Sequence, residues 1–246
     1  MTRQRASTGK VNRRGFIRAA GGAGLLAAGL PGTARAGTFA TGADGEPGSA
    51  PGPAEALRLL MEGNQRFAAG MPEHPRQSVA WRHHLAGGQN PFATVVSCID
   101  SRVPPEIVFD RGLGDMFVVR TGAQALDDLV VLGSIEFGPV NYSSSRLLFV
   151  LGHQGCGAVS GAIKSFQTGI PAPGHIQAVV EAIRPAYLAA LGQPGNLLDN
   201  TIREQTRLTV ERLKRDPVLT KLIISENLAI VGGHYELFSG VVTLLA

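Results

Sequence analysis

The sequence predicts an α/β fold: a mostly parallel central β-sheet flanked by helices, with an N-terminal helical arm. Three apolar runs, Phe92–Ser97, Met116–Arg120 and Leu147–Leu151, give the strands, and the first and third are continuous and β-branched or Leu-rich. That is the pattern of strands covered on both faces. Segments with helical apolar spacing separate and follow these runs, which points to parallel strands joined by right-handed crossovers. The chain has 246 residues, 44% hydrophobic and 17% charged, enough for a substantial core in an ordinary folded protein.

In chain order, residues 1–36 read as an export signal. They hold seven basic residues and no acid; Arg13-Arg14 is followed by Phe16 and Ile17, then by an apolar stretch from Ala19 to Leu30 and a small-x-small site, Ala34-Arg35-Ala36. Paired arginines in this layout favour twin-arginine export, so the protein is expected to be periplasmic, cell-surface or secreted. The apolar stretch is too short to cross a hydrocarbon core of about 30 Å, and no transmembrane segment is expected in the mature form. Residues 37–53, rich in Gly, Ala, Pro and Ser, read as a flexible linker. The folded domain is 54–246. It opens with a helix carrying Ala56, Leu57, Leu59, Leu60, Met61 and Phe67 and ending at Gly70, then a second helix from Ser78 to Leu85. After the first strand come a short turn over Pro104–Phe109, the second strand, a helix over Asp127–Phe137, the third strand, and a helix through Ala158, Val159, Ala162, Ile163 and Phe166. From Ile176 to about Arg215 the chain reads as helical, punctuated by Pro185 and Gly192–Gly195, with Leu197, Ile202, Leu208, Val210 and Leu213 as its buried stripe. Strands at Leu228–Val231 and Gly240–Leu245 return the chain to the sheet, which favours one domain over a separate helical one.

The net charge of +4 invites a nucleic-acid reading. Removing residues 1–36 leaves 16 basic against 19 acidic residues, about −3, and no basic stripe with interleaved aromatic rings exists. Nucleic acid is therefore not expected as a partner.

Chemistry concentrates on the only two cysteines. Cys98 ends the first strand in Cys98-Ile99-Asp100-Ser101-Arg102, and Cys156 follows the third in Gly152-His153-Gln154-Gly155-Cys156-Gly157. Two thiolates, an imidazole and a nearby carboxylate suit tetrahedral zinc, at the carboxyl ends of strands where open α/β sheets bind ligands. The competing reading is a Cys98–Cys156 disulfide, as in many exported proteins. A disulfide needs neither His153 nor the Asp100/Arg102 pair, so these neighbours favour a metal. A phosphatase loop is excluded because Pro104 stands where its arginine belongs, and a zinc ribbon lacks its Cys-x-x-Cys knuckles. Three protein ligands with a fourth position free to open are the signature of catalytic zinc.

With these residues placed, the chain resembles the β-class carbonic anhydrases over about Ala54 to Leu245. The resemblance rests on Gly63-Asn64-Gln65-Arg66-Phe67, Cys98-Ile99-Asp100-Ser101-Arg102-Val103-Pro104-Pro105-Glu106, Gly114-Asp115-Met116-Phe117-Val118-Val119-Arg120, Gly133-Ser134-Ile135-Glu136-Phe137 and Gly152-His153-Gln154-Gly155-Cys156-Gly157-Ala158-Val159. It implies zinc on Cys98, His153 and Cys156, with Asp100 either paired to Arg102 or swung onto the metal, and reversible hydration of CO₂ to bicarbonate by a zinc-activated hydroxide. It further implies Gln89 and the Gly157 amide as bicarbonate contacts, Phe117 as a wall of the CO₂ pocket, and a homodimer or larger assembly with sites at the subunit boundary. The same fold turned to carbonyl sulfide or carbon disulfide is the alternative. Departures from the family pattern are Arg120-Thr121-Gly122-Ala123-Gln124, where Arg-x-Ala-Gly-Asn is common, and Phe137 in place of a tyrosine. Val95 replaces the tryptophan that accompanies a second, inhibitory bicarbonate site, so that control is expected to be absent.

Overall fold

The computed structural model describes residues 50–225 and 228–245. The expected export signal (1–36), and the linker up to residue 49, lie outside the described residues. Five strands, β1 (Ala93–Cys98), β2 (Met116–Thr121), β3 (Leu147–His153), β4 (Ala229–Tyr235) and β5 (Val242–Leu245), form one sheet in the order β2-β1-β3-β4-β5. The first four are parallel and β5 runs antiparallel to β4, as a mostly parallel sheet requires.

Strands β1 and β3 are buried throughout, which is why both read as continuous apolar runs. Their side chains still alternate between faces. Ala93, Val95, Leu147, Phe149 and Leu151 pack with Ala56 and Leu60 of helix α1 (Pro53–Ala68) and with Phe109 just beyond the short helix α3 (Pro105–Val108). Val96, Leu148 and Val150 face the other way, towards α4 (Leu129–Asn141), α7 (Leu197–Lys214) and α8 (Pro217–Ser225). A third cluster caps the carboxyl ends of the strands beneath α5 (Gly157–Thr168) and α6 (Ile176–Ala190). The remaining helix, α2 (Val79–Leu85), is capped by the Ser78 hydroxyl, which accepts from the Trp81 amide.

The Gly63-Asn64-Gln65-Arg66 stretch locks α1 to the sheet. A Cβ at Gly63 would fall 1.8 Å from the Phe109 carbonyl oxygen, so only glycine allows this approach. Buried Asn64 donates to the Val108 (3.0 Å) and Gly240 (2.8 Å) carbonyls and accepts from the Val242 amide (2.8 Å), joining α1 to α3 and to the β5 edge. Arg66 donates to the buried Asp110 carboxylate at 2.6 Å, which also accepts the Glu73 and His74 amides.

Four features differ from the sequence reading. Helix α4 runs past Phe137 to Asn141 with Pro139 inside it. Its Gly138 lies so close to β1 and β2 that a Cβ would sit 2.5 Å from the Thr94 hydroxyl, and this packing holds the last turn. Pro185 does not interrupt α6, because Val180, Ile183, Ala186 and Ala190 bury both halves of the helix together. The buried stripe of α7 is largely polar: Thr201, Gln205, Thr206 and Thr209 accompany Ile202, Val210 and Leu213, while Leu197 and Leu208 are only half-buried. Thr201 and Thr206 return their hydroxyls to the Leu197 and Ile202 carbonyls of their own helix, so burial leaves them satisfied. Helix α8 was not read from the sequence; Asp216 starts it by accepting the Val218 and Leu219 amides.

Because Asn64 joins three segments, Asn64→Ala strands buried backbone groups and is expected to lower the unfolding free energy by about 3 kcal/mol. Urea unfolding with an unchanged m-value checks this; a loss under about 1 kcal/mol contradicts it.

Candidate metal centre

Strands β1 and β3 lie side by side, with Ser97 in register with Leu151, so their carboxyl ends deliver Cys98 and His153 to one place. The chain then turns through Gln154 and Gly155 and enters α5 with Cys156 as the residue before its first turn. Gly155 takes a left-handed φ of +62°, the conformation that makes this sharp turn possible. Ligand atoms of Cys98, His153 and Cys156 all lie within 4.8 Å of one another, and all three residues are buried.

The two sulfurs are 3.8 Å apart and both thiols are free. A disulfide needs about 2.05 Å, so the disulfide alternative fails. The separation is instead that of two sulfurs about 2.3 Å from a shared tetrahedral ion. His153 Nδ1 stands 3.0 Å from the Gln154 carbonyl oxygen. A carbonyl only accepts, so Nδ1 carries the proton and Nε2 presents its lone pair. That Nε2 is buried with no hydrogen-bond partner. An orphaned imidazole nitrogen beside two soft thiols is a donor set that fits a divalent ion.

Charges around the triad are paired. Arg102 donates through Nε (2.9 Å) and its own amide (3.0 Å) to Asp100 Oδ1, through Nη2 (2.7 Å) to Oδ2, and also reaches the Gly155 carbonyl at 3.3 Å. The Arg102 guanidinium holds the Asp100 carboxyl well below the usual carboxylate range, against the opposing effect of burial. Between the thiols, the Cys156 hydrogen bond pulls Cys98 down to about 4, helped by the Ala123 and Asp100 amides and opposed by burial. Cys156 is pushed upward, first as donor to Cys98 and then by its own burial.

Of the residues expected at the site, Cys98, Asp100, Arg102, His153 and Cys156 come together, and Gly157 opens α5 directly behind Cys156. The Gly157 amide belongs to the first helical turn, whose donors have no partner within the helix. Gln89 and Phe117 do not join them. Phe117 pairs with Thr94, four residues before Cys98 and so about 13 Å back along the strand. It packs on the Tyr142 and Phe137 rings at 5.2 and 6.1 Å, and Gln89 donates to the Tyr142 hydroxyl at 3.3 Å. Phe117, Val118, Val130, Gly133 and Phe137 line a hollow of about 400 Å³ there.

Two contributors escaped the sequence reading. Arg120 on β2 donates to the Cys98 carbonyl through Nε (2.8 Å) and to the Asp100 carbonyl through Nη2 (2.5 Å). Its signal in the sequence is its place closing the Gly114–Arg120 motif, at the end of an apolar strand. The Ala123 amide lies 3.5 Å from Cys98 Sγ; its signal in the sequence is its place in the Arg120–Gln124 departure from the family pattern.

A family model described as carbonic anhydrase matches residues 93–242. Carbonic anhydrase 2 of Mycobacterium tuberculosis is 43% identical over 189 residues, covering 76% of this chain and 90% of that protein. The carbonic anhydrase of Mycolicibacterium smegmatis is 40% identical over 195 residues, covering 78% and 93%. In fold, the chain is similar to a tetrameric β-carbonic anhydrase from the filamentous ascomycete Sordaria macrospora, with a TM-score of 0.62, 20% identity, and coverage of 77% of this chain and 96% of that one.

The thiol shifts set the stoichiometry of metal uptake. The hydrogen-bonded pair favours one thiolate and one thiol, with Cys98 shifted down and Cys156 up, so binding a divalent ion is expected to release about one proton from the pair. Calorimetric titration with zinc in buffers of different ionisation enthalpy measures the number; two protons per ion would contradict the assignment.

Proposed function

The chain belongs to the carbonic anhydrase family, and we propose that it is an exported zinc enzyme that hydrates CO₂ to bicarbonate and a proton at the Cys98–His153–Cys156 centre. The observation that carries this reading is the buried triangle of two thiols and one orphaned imidazole nitrogen. Zinc held by these three would supply a nucleophile by lowering the pKa of water from about 15.7 towards neutrality.

The protein's own part is orientation. An ionised carboxylate has about four acceptor positions. Arg102 uses two on Oδ1 and one on Oδ2, which leaves Oδ2 a place to accept a hydrogen bond from the attacking water. Asp100 so held can orient the water's remaining lone pair towards CO₂. Because Arg102 keeps the carboxyl ionised far below neutrality, Asp100 adds no titration step between about pH 6 and 9, and a rate rising across that window reports the water. The Gly157 amide, in the first turn of α5, suits a developing bicarbonate oxygen.

Gln89 and Phe117 are read as serving the centre of a second copy. The support is their distance from the triad in their own chain, and their place beside edge strand β2 and the exposed apolar side chains of α4. A homodimer or larger homo-oligomer follows from that reading. Among the described residues no helix is long and apolar enough to cross a membrane, and the Arg13-Arg14 segment supports twin-arginine export.

Cys98→Ser and Cys156→Ser are each expected to lose stoichiometric zinc together with CO₂ hydration. Asp100→Asn is expected to keep the metal and lose about 10²-fold in kcat/KM. Metal analysis with stopped-flow hydration decides the matter: wild-type zinc and activity in either serine variant overturns the ligand set. Faster hydrolysis of carbonyl sulfide or carbon disulfide than hydration of CO₂ would reassign the substrate. Replacing Arg13 and Arg14 with lysine is expected to retain the protein inside the cell with residues 1–36 attached; N-terminal sequencing of the fractions tests export.

A further inference from the structure

We infer that Gln205, in the buried stripe of α7, is a positioning residue for Cys98: it holds the Gly122–Gln124 turn in a left-handed backbone so that the Ala123 amide points at the Cys98 sulfur. This rests on the reading of Cys98 as a metal ligand.

Ala123 (φ 51°, ψ 37°) and Gln124 (φ 55°) are consecutive and both left-handed. Glycine, and sometimes asparagine, adopts this conformation readily; alanine and glutamine do so only where their surroundings over-determine it. Both residues are buried. Each side of the turn is gripped from a different element. Gln124 Nε2 donates to the Leu151 carbonyl of β3 at 2.8 Å, and Gln205 Nε2 donates to the Ala123 carbonyl at 3.2 Å from a position 82 residues away in sequence. Within the turn, the Ala125 amide closes on the Gly122 carbonyl at 3.1 Å. What the strained geometry achieves is the Ala123 N–H directed at Cys98 Sγ, 3.5 Å away. If Ala123 relaxed to a right-handed backbone, its amide and its carbonyl would point in new directions relative to each other, so the Gln205 and sulfur hydrogen bonds could not both survive. Fixing the carbonyl from α7 therefore fixes the amide at the sulfur. Hydrogen bonds of this kind orient a ligand and tune its donor strength. Packing alone does not account for the carboxamide of Gln205, which lies on a helix face turned towards the apolar cluster around Ala123 and Ile202.

The test uses the full mature protein loaded with cobalt, whose sulfur-to-metal charge-transfer absorption reads the thiolate directly. Gln205→Met keeps the volume and removes the donor. It is expected to weaken metal affinity, measured by chelator competition, about 10-fold and to shift the charge-transfer band. Adding Ala123→Gly, which makes the left-handed conformation free of strain, is expected to restore both. Unchanged affinity and band in Gln205→Met overturn the inference, as does a loss that Ala123→Gly fails to recover, since a packing defect at Gln205 has no reason to respond to residue 123. If Gln205→Met does not fold and the double variant does not fold either, Gln205 serves the core and the inference fails. Wild-type protein that takes up cobalt with no thiolate band would instead sink the metal-centre reading.

Discussion

The centre depends on strand register. Cys98 and His153 are brought together because β1 and β3 are adjacent parallel strands, about 4.8 Å apart, that end at the same level. A slip of one residue would turn every β1 side chain to the opposite face and carry Cys98 away from the triad. Burial prevents the slip: Val95 belongs with α1, Phe109 and Phe149, while Val96 belongs with Leu148, Val150 and Leu213. The two apolar faces differ in shape, and the Phe109–Phe149 edge-on contact at 5.2 Å occupies only one of them. The hydrophobic core thus sets the ligand geometry.

Around the triad, two arginines divide the work of holding one loop. Arg120 grips the backbone carbonyls of Cys98 and Asp100 from β2, and Arg102 grips the Asp100 carboxylate and the Gly155 carbonyl. With the main chain fixed at both points, Asp100 keeps only its side-chain torsions.

Much of this was legible in the sequence because the signals were local. Continuous apolar runs fixed β1 and β3, helical spacing fixed α1 and α5, and the two cysteine motifs named the triad. What could not be read depends on partners far away in the chain. Gln205 meets Ala123 across 82 residues, and Arg120 meets Asp100 through a carbonyl that any residue would present. Pro185 reads as a helix breaker on local propensity, and the helical reading of α4 stops at Phe137, short of Pro139, but tertiary packing carries both helices through their prolines. The α7 stripe holds Ile202, Val210 and Leu213 as the sequence predicts, but also Thr201, Gln205, Thr206 and Thr209, and the Thr201 and Thr206 hydroxyls are satisfied within the helix. Gln89 and Phe117 match the family motif, yet a sequence position does not say which copy of the chain it serves.

That last ambiguity has a physical counterpart at the sheet edge. Strand β2 is apolar but only half-buried along its length, and α4 beside it exposes Leu129 at 85%, Val130 at 76%, and Phe137 and Val140 each at 52%. An edge strand with open hydrogen-bonding groups next to such a patch invites association, and native proteins cover edges of this kind. No proline interrupts β2, and its one charge, Arg120, donates to the Cys98 and Asp100 carbonyls. Phe117 and Gln89 sit on this same edge. A second copy docked there would bury the apolar surface and bring an aromatic ring and a carboxamide to the boundary in a single step.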